Sequence, residues 1–564
     1  MRLKKRLWIF IFLISLSSLL ASKDLFKPGY FSIHDDLQVG RLYEMDLCFR
    51  DKQFPCRWVP DMGYGYGYPL YNYYPPLPYY FGELVHRLGF SFLDSTKVMF
   101  IAQFLISGIL MFFFSRKFWG DWGGLLSAVL YVWAPYHSVD IYVRGAMNEA
   151  WALAFLPGVY WMVYEIIDGA RDRTKYTGLL ALFFGLLLLS HNLMAFIFVP
   201  TVIVFALLLI WSKKKNLKEK LLPQILGGLW GFCLAAFFTL PVLLEKKYVH
   251  VETMLKGYFN YLAHYVPIGK MLFTRFWGYG SSGWLQETGM PFQVGFPHWP
   301  LAVLVFLLGV IMFFRKKIAK EIFFVFPFLF LLFLGSLFLV HPRSVFIWDR
   351  ISLLAYLQFP WRFLTLVIFS ISVLGGGLVV LVKKPKWQMT IAITLAILTI
   401  VLNFSFFRVE KTLPMTDQQK LFSAKGWNKL QTDAIFDYLP IYAEAPPGGP
   451  APDKPEIKEG IATISGVKKG TNWYSFNIKV IKKAKIQIPV YDFPGWRVKV
   501  DKKPVSISHD NFLGLIIVSV DSGEHKVEVG LTNTVVRSLA NIISVISWSI
   551  MILLSLAVFR KRGR

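Results

Sequence analysis

The sequence predicts a polytopic α-helical membrane protein of about twelve spans, with a C-terminal β-sandwich held outside the lipid. Three observations lead there. Of 564 residues, 55% are hydrophobic and only 17% charged, below the quarter usual in soluble domains. Apolar runs of about 18 residues or more recur, each long enough to cross ~30 Å of hydrocarbon as a helix. Residues 455–532 then abandon that pattern for alternating apolar and polar positions.

The spans fall near 7–22, 97–115, 121–137, 148–167, 176–191, 193–212, 221–244, 299–314, 321–340, 361–382, 387–407 and 537–558. The net charge of +26, from 61 Lys and Arg against 35 Asp and Glu, would suit nucleic acid if it formed one patch. Instead the basic residues sit in short loops between apolar runs. These are Arg116–Lys117, Arg171/Arg173/Lys175, Lys213–Lys215 with Lys218 and Lys220, Arg315–Lys317 with Lys320, and Lys383/Lys384/Lys386. That is the positive-inside pattern, so nucleic acid is excluded and lipid is the expected partner. Both termini then face the cytoplasm of a cell (plasma) membrane, and the pieces 23–96, 245–298, 341–360 and 408–536 face outward. The leader MRLKKRLWIFIFLISLSSLLA has the basic-then-apolar form of a signal sequence, with a poor cleavage site that favours an uncleaved anchor.

The expected domains follow. Residues 1–410 form the membrane module, whose first outer loop is 23–96, and 411–454 form a linker ending in the Pro/Gly-rich AEAPPGGPAPDK. Residues 455–532 carry YSFNIKVIK, KIQIPVY, WRVKVD, LIIVSV and HKVEVGL, punctuated by the turn signals DKKP, HDN and DSGE. The final span 537–558 leads to a basic tail, 559–564. Cys48 and Cys56 share the first outer loop, where an oxidising compartment would let them pair, and Cys233 lies in a span. No C-x-x-C, zinc spacing or P-loop is present.

Polar residues gather at the outer ends of the spans. His34, Asp35, Asp36 and Arg41 follow the first, and Asp140, Arg144, Asn148 and Glu149 bridge the third and fourth. His191 and Asn192 join the fifth and sixth; His341, Arg343, Asp349 and Arg350 precede FPWRF, where Arg362 opens the tenth. Each has an ordinary reading: loop acids, helix caps, a structural Arg144–Glu149 pair, or an Arg362 that snorkels to headgroups. Their convergence on one face, away from span interiors, points to a site at the outer lipid–water boundary. The stretch GYGYGYPLYNYYPPLPYY, 63–80, is stiffened by proline and rich in tyrosine. It suits an interfacial aromatic belt or a surface on which sugars stack.

Together HDDLQVGR, FPCRWVPDMGYGYGYPLYNYYPPLPYY, YVRGAMNEAWAL, SHNLMA and FPWRF resemble the bacterial and archaeal membrane family labelled "6-pyruvoyl-tetrahydropterin synthase-related", grouped with the GT-C glycosyltransferases. DFPGWRVKVDKKPV and SGEHKVEV resemble the outer β-domain of related GT-C-like proteins. The label concerns a name: no zinc-binding histidine set supports pterin chemistry. The resemblance implies a GT-C-like helical module with a catalytic acid in the first outer loop and a polyprenyl-phosphate-linked sugar donor. It also implies transfer to a saccharide, lipid or protein acceptor on the exoplasmic side. Asp35 matches that acid best, with Asp36 second and His34 beside it. Arg144, Glu149, His191 with Asn192, and Arg362 match recurring polar positions. Arg41, Arg57, Trp58, Asp61, Tyr68 and Tyr74 stand as further substrate contacts in the first loop.

On that reading Asp35 takes the acceptor proton and an arginine steadies the leaving phosphate. His34 orients the base or helps hold a divalent cation, Mg or Mn; no DxD pair follows the first span, and no metal site is assigned. The competing readings are a lipid-linked saccharide flippase or transporter, and a non-catalytic envelope-assembly protein. A transporter places polar residues or broken helices near the bilayer midplane, whereas charges here avoid the span centres.

Overall fold

A computed structural model describes residues 2–168, 172–285, 289–316 and 323–562. Arg171, Lys317, Lys320 and the last two residues of the basic tail lie outside the described residues. Each of the twelve apolar runs is helical over most of its described length. Six helices among the described residues are long and apolar enough to cross a membrane, or up to eight spans if each of two bent helix pairs is one.

Much of the shortfall from twelve has a physical cause. Arg6–Ala21 and His298–Phe314 are apolar but short. Phe92–Val132 takes in the expected span 97–115 and most of 121–137, parted at Gly120, whose φ of 66° and ψ of −176° are not helical and suit glycine. The run expected at 221–244 divides at Ala235 into Leu217–Leu234 and Ala236–Glu245.

By internal contacts the chain forms two compact units: residues 1–36, 93–234 and 255–414, and residues 37–92, 235–254 and 415–564. In the first unit, the loops expected inside the cell meet at one end. Asp121 pairs with Arg116 at 2.7 Å and lies 3.7 Å from Arg6, and Lys117 pairs with Glu165 at 2.5 Å. Lys213 with Asp168 and Arg173 with Glu219 complete the set. Such half-exposed pairs add little stability, but they record which loops share an end.

At the other end of the same helices, the Lys97 ammonium donates to the Lys27 carbonyl at 2.9 Å. There β1 (Tyr30–Phe31) pairs antiparallel with β2 (Thr412–Leu413), and the Ser138 hydroxyl donates to the Phe406 carbonyl at 2.7 Å.

The second unit holds the β-domain. Its strands are β3 (Glu456–Lys469), β4 (Trp473–Tyr491), β5 (Trp496–Val500), β6 (Lys503–Val505), β7 (Leu515–Val520) and β8 (Gly523–Leu531), all paired antiparallel. The long β4 organises them. Its first half pairs with β8 and its second with β7, while β3 runs along both halves. Inward residues of the two halves, among them Phe476, Ile478, Ile486 and Ile488, join Val518, Val527 and Trp496 in one core. The two halves thus close over shared apolar contents, as expected of a sandwich, while every strand belongs to one hydrogen-bonded sheet.

Residues 37–92 pack into this unit and include the disulfide Cys48–Cys56, whose cysteines are both buried. A disulfide fits an oxidising face of the membrane. Buried Trp58 meets Trp496 edge-on with ring centroids 5.4 Å apart and Phe493 at 5.7 Å. Gly67 (φ 83°) makes room for it, since a Cβ there would lie 2.2 Å from the Trp58 indole nitrogen. Gly67→Ala is therefore expected to destabilise the unit by about 1–3 kcal/mol through clash and left-handed strain, read as a lowered unfolding midpoint. An unchanged midpoint would show that the indole has room to move.

Candidate functional site

The first unit's charged cluster is built around a turn. After the short helix Pro135–Ser138 the chain widens into the π-helical turn Val139–Val143. The Arg144 N–H then bonds the Val139 carbonyl at 2.9 Å, and that of Ala146 bonds the Asp140 carbonyl at 2.6 Å. Gly145 takes φ 65°, and a Cβ there would stand 2.5 Å from the Ile33 side chain. The close approach lets two chains run together: the His34 N–H donates to the Val143 carbonyl at 3.0 Å, and the Asp35 N–H to that of Arg144 at 2.9 Å. The acids after the first span are thus tied by backbone to the Arg144 turn.

Helix Met147–Asp168 follows with Glu149 in its first turn, where the N-terminal dipole favours a carboxylate. Arg144 reaches both acids: one Nη pairs with Asp140, the other with Glu149 at 2.8 Å. The Tyr136 hydroxyl donates to the second Glu149 oxygen at 2.9 Å. The Arg144 guanidinium lies over the Trp361 ring, 4.3 Å from its centroid. Arg362 places Nε 3.5 Å from Glu149 and donates through Nη1 to the Leu357 carbonyl at 2.7 Å and to Gln358 at 3.3 Å. Side-chain exposures are 11% for Arg144, 9% for Arg362 and 1% for Glu149, so water screens these charges poorly.

Burial first, and then the Glu149 charge, push the Asp140 carboxyl well above the usual range. The cluster thus sets two guanidiniums, Arg144 and Arg362, among the two buried acids Asp140 and Glu149. Asp35 and Asp36 are half-buried nearby. Burial, then the charges of Asp36 and Asp35, raise the phenol of Tyr30. His34 sets Nε2 2.8 Å from the Tyr279 carbonyl.

Other expected site residues divide clearly. Asn148 donates to the Ser190 carbonyl at 2.9 Å, bringing the residue before His191 against the Glu149 turn. His191 itself caps helix Asn192–Ser212, accepting the Met194 N–H at 3.4 Å. His341 caps its own turn through the Arg343 N–H, and Asp349 accepts the Tyr261 hydroxyl at 2.6 Å.

The first-loop residues expected as substrate contacts belong to the second unit, where structural partners take them up. Arg57 donates to Asn72, the Phe237 carbonyl and Asn541 at 3.2, 2.9 and 2.8 Å. Trp58 is core, and the Tyr68 hydroxyl donates to the Ala434 carbonyl at 2.7 Å. Arg41 stacks over Tyr74, 4.4 Å from its ring centroid. Asp61 is bonded to Tyr43, and burial raises its carboxyl. Arg41, Arg57, Trp58 and Tyr68 are each no more than 5% exposed and present almost no surface to a ligand.

Tyr136 and Trp361 are the residues the sequence reading missed. Each is an aromatic at the edge of an apolar run, and their only signal was position: Tyr136 adjoins HSVD and Trp361 lies within FPWRF. Among the described residues, no group of three or more His, Cys, Asp or Glu comes together as a metal-ion cage.

A family model described as "6-pyruvoyl-tetrahydropterin synthase related domain; membrane protein" matches residues 71–409, more than half the chain. The chain belongs to this family of membrane proteins. Arg144, Glu149, His191 and Arg362 lie inside the family match, and Asp35 precedes it. An uncharacterized protein of Lactococcus lactis subsp. cremoris is 25% identical over 323 residues, 55% of this chain and 49% of that protein. The chain therefore spans about half the length of the curated relative it matches.

Similar solved structures include the arabinofuranosyltransferase AftD from mycobacteria, with TM-score 0.48, 12% identity, and 73% of this chain and 28% of that one covered. The archaeal oligosaccharyltransferase AglB from Archaeoglobus fulgidus, in complex with an inhibitory peptide and a dolichol-phosphate, gives TM-score 0.46, 12% identity and coverages of 76% and 59%. ArnT from Cupriavidus metallidurans, bound to undecaprenyl phosphate, gives 0.37, 11%, and coverages of 71% and 70%.

Proposed function

We propose that this protein is a GT-C-type membrane glycosyltransferase, moving a sugar from a polyprenyl-phosphate-linked donor to a cell-envelope acceptor on the exoplasmic side. The observation that carries the reading is the backbone pairing of His34 and Asp35 with Val143 and Arg144. It sets a half-buried acid beside a cluster rich in guanidinium, the two charges that transfer from a phosphate carrier requires. The motif resemblance in HDDLQVGR and YVRGAMNEAWAL points the same way.

In this mechanism the Asp35 carboxylate accepts the proton of the acceptor hydroxyl or amide as that atom bonds to the sugar's anomeric carbon. The bond from that carbon to the phosphate oxygen breaks, and charge grows on the phosphate. Arg362, with Arg144 behind it, stabilises that charge where water is scarce. Glu149 and Tyr136 hold Arg144 in place. Asp36 supports the loop.

Incubating purified protein with a polyprenyl-phosphate sugar and following product tests the reading. Release of polyprenyl phosphate with sugar on an acceptor is the expected result. Movement of intact donor across liposomes without bond cleavage would favour a flippase instead.

The same reading places both termini in the cytoplasm and the β-domain outside, on the charge bias of the loops. Single cysteines introduced within 443–454 are expected to react with a membrane-impermeant thiol reagent in intact cells. Labelling only after permeabilisation would reverse the orientation.

A further inference from the structure

The β-domain carries a groove that the transfer chemistry does not use. Along β4, alternation sends Ile486, Ile488 and Val490 into the core and turns Lys485, Gln487 and Pro489 outward. Gln487 and Pro489 are nevertheless buried. They are covered because the surface there is concave: a groove of about 870 Å³ runs over this face, between the start of β3 and the segment 505–513. Its volume lies within the ~300–1,000 Å³ of ligand clefts.

The far wall is fixed in place. Gly514, at φ 61°, sits so close to Tyr442 that a Cβ would come within 2.5 Å of its carbonyl. The Glu444 N–H bonds the Phe512 carbonyl at 3.0 Å, and the Asn511 amide both donates to and accepts from the Leu515 backbone. This pinned loop presents Phe512, 58% exposed, and Tyr66 also lines the groove.

Charge in the groove is internally matched. Lys458 pairs with Glu456 at 2.6 Å and Lys485 with Glu459 at 2.9 Å, which leaves Asp510 as the remaining charged lining residue. An anionic ligand would find no compensating field, and the single carboxylate of Asp510 offers little to a strongly cationic one. What remains is an amide at Gln487, hydroxyls at Ser506 and Ser519, and aromatic faces, which suit a ligand with many hydroxyls and apolar ring faces.

We propose that this groove binds a neutral saccharide chain. The inference stands apart from glycosyl transfer, because it rests on the β-domain alone. Its test uses full-length protein in nanodiscs, titrated by calorimetry with mannohexaose, cellohexaose and maltohexaose. Oligogalacturonate serves as an acidic counterpart and an unstructured uncharged peptide as a control.

At least one neutral hexaose is expected to bind. Phe512→Ala and Gln487→Ala should each weaken that binding about tenfold, the loss of one good contact. Phe512 is exposed, so its removal takes nothing from the core, and matched melting curves verify both variants. Asp35→Asn protein should bind as wild type does, which separates this site from the transfer reaction. The proposal is overturned if no neutral hexaose binds, if binding ignores both well-folded substitutions, or if only the acidic oligomer or the peptide binds.

Discussion

Replacing Arg144 with alanine is expected to destabilise the protein by about 3–5 kcal/mol, the cost of leaving a buried carboxylate without its partner. Arg144 bridges Asp140 and Glu149, whose side chains are 0% and 1% exposed. The loss should be coupled to those acids. In the double variant with Glu149→Gln, the combined effect should fall short of the sum by about 0.5–3 kcal/mol. Chemical unfolding of the detergent-solubilised protein measures both quantities. An Arg144→Ala protein within about 0.5 kcal/mol of wild type, or strictly additive effects, would show that the cluster does not organise this end of the unit.

The same geometry decides which arginine can report on donor binding. Arg144 loses structure before it can lose chemistry. Arg362 stands farther from Glu149, at 3.5 Å, and has the Leu357 carbonyl as a neutral partner, so its truncation should disturb folding less. Arg362→Ala is expected to raise the donor KM, with Arg362→Lys restoring part of it because charge returns without the planar fork.

The sequence revealed these charges by their placement. His34, Asp35, Arg144, Glu149 and Arg362 stand out because they flank apolar runs, and the turn at Gly145 brings the first four to neighbouring backbone. Less legible was the division of the first outer loop. Asp36 and Arg41 are five residues apart, yet the boundary between the compact units falls after residue 36. Nothing in the polarity of HDDLQVGR marks it. The tyrosine-rich stretch invited a ligand because tyrosine serves both cores and binding surfaces; burial of Tyr68, Tyr71 and Tyr79 assigns those three to packing.

In the β-domain, alternation found β4, β5, β7 and β8 and missed the two ends of the strand order, β3 and the three-residue β6 that begins inside the turn signal DKKP. YSFNIKVIK and KIQIPVY are two halves of the single strand β4, interrupted to the eye by the exposed run at 481–483. EIKEGIATISGVKK, the edge strand β3, is mostly exposed along its length, so neither face needed an apolar pattern. Period-two reading works where one face is buried and fails where neither is.

Asp35→Asn is expected to lower the transfer rate about 10²–10⁴-fold, the usual loss when a general base is removed. Asparagine keeps the size and much of the hydrogen bonding of aspartate. The bond that holds this residue to the Arg144 carbonyl comes from the backbone N–H, so the substitution leaves the loop's anchor in place. A fall in rate without a fall in stability would therefore belong to chemistry. Asp36→Asn supplies the comparison, because it changes the same local charge one residue away. If the two acids only hold the loop, both variants should show small and similar losses. If Asp35 is the base, its variant should fall far below that of Asp36 at equal melting temperature, under single-turnover conditions with saturating donor. A well-folded Asp35→Asn protein that transfers sugar at the wild-type rate would remove Asp35 from the mechanism and pass the role of base to Asp36.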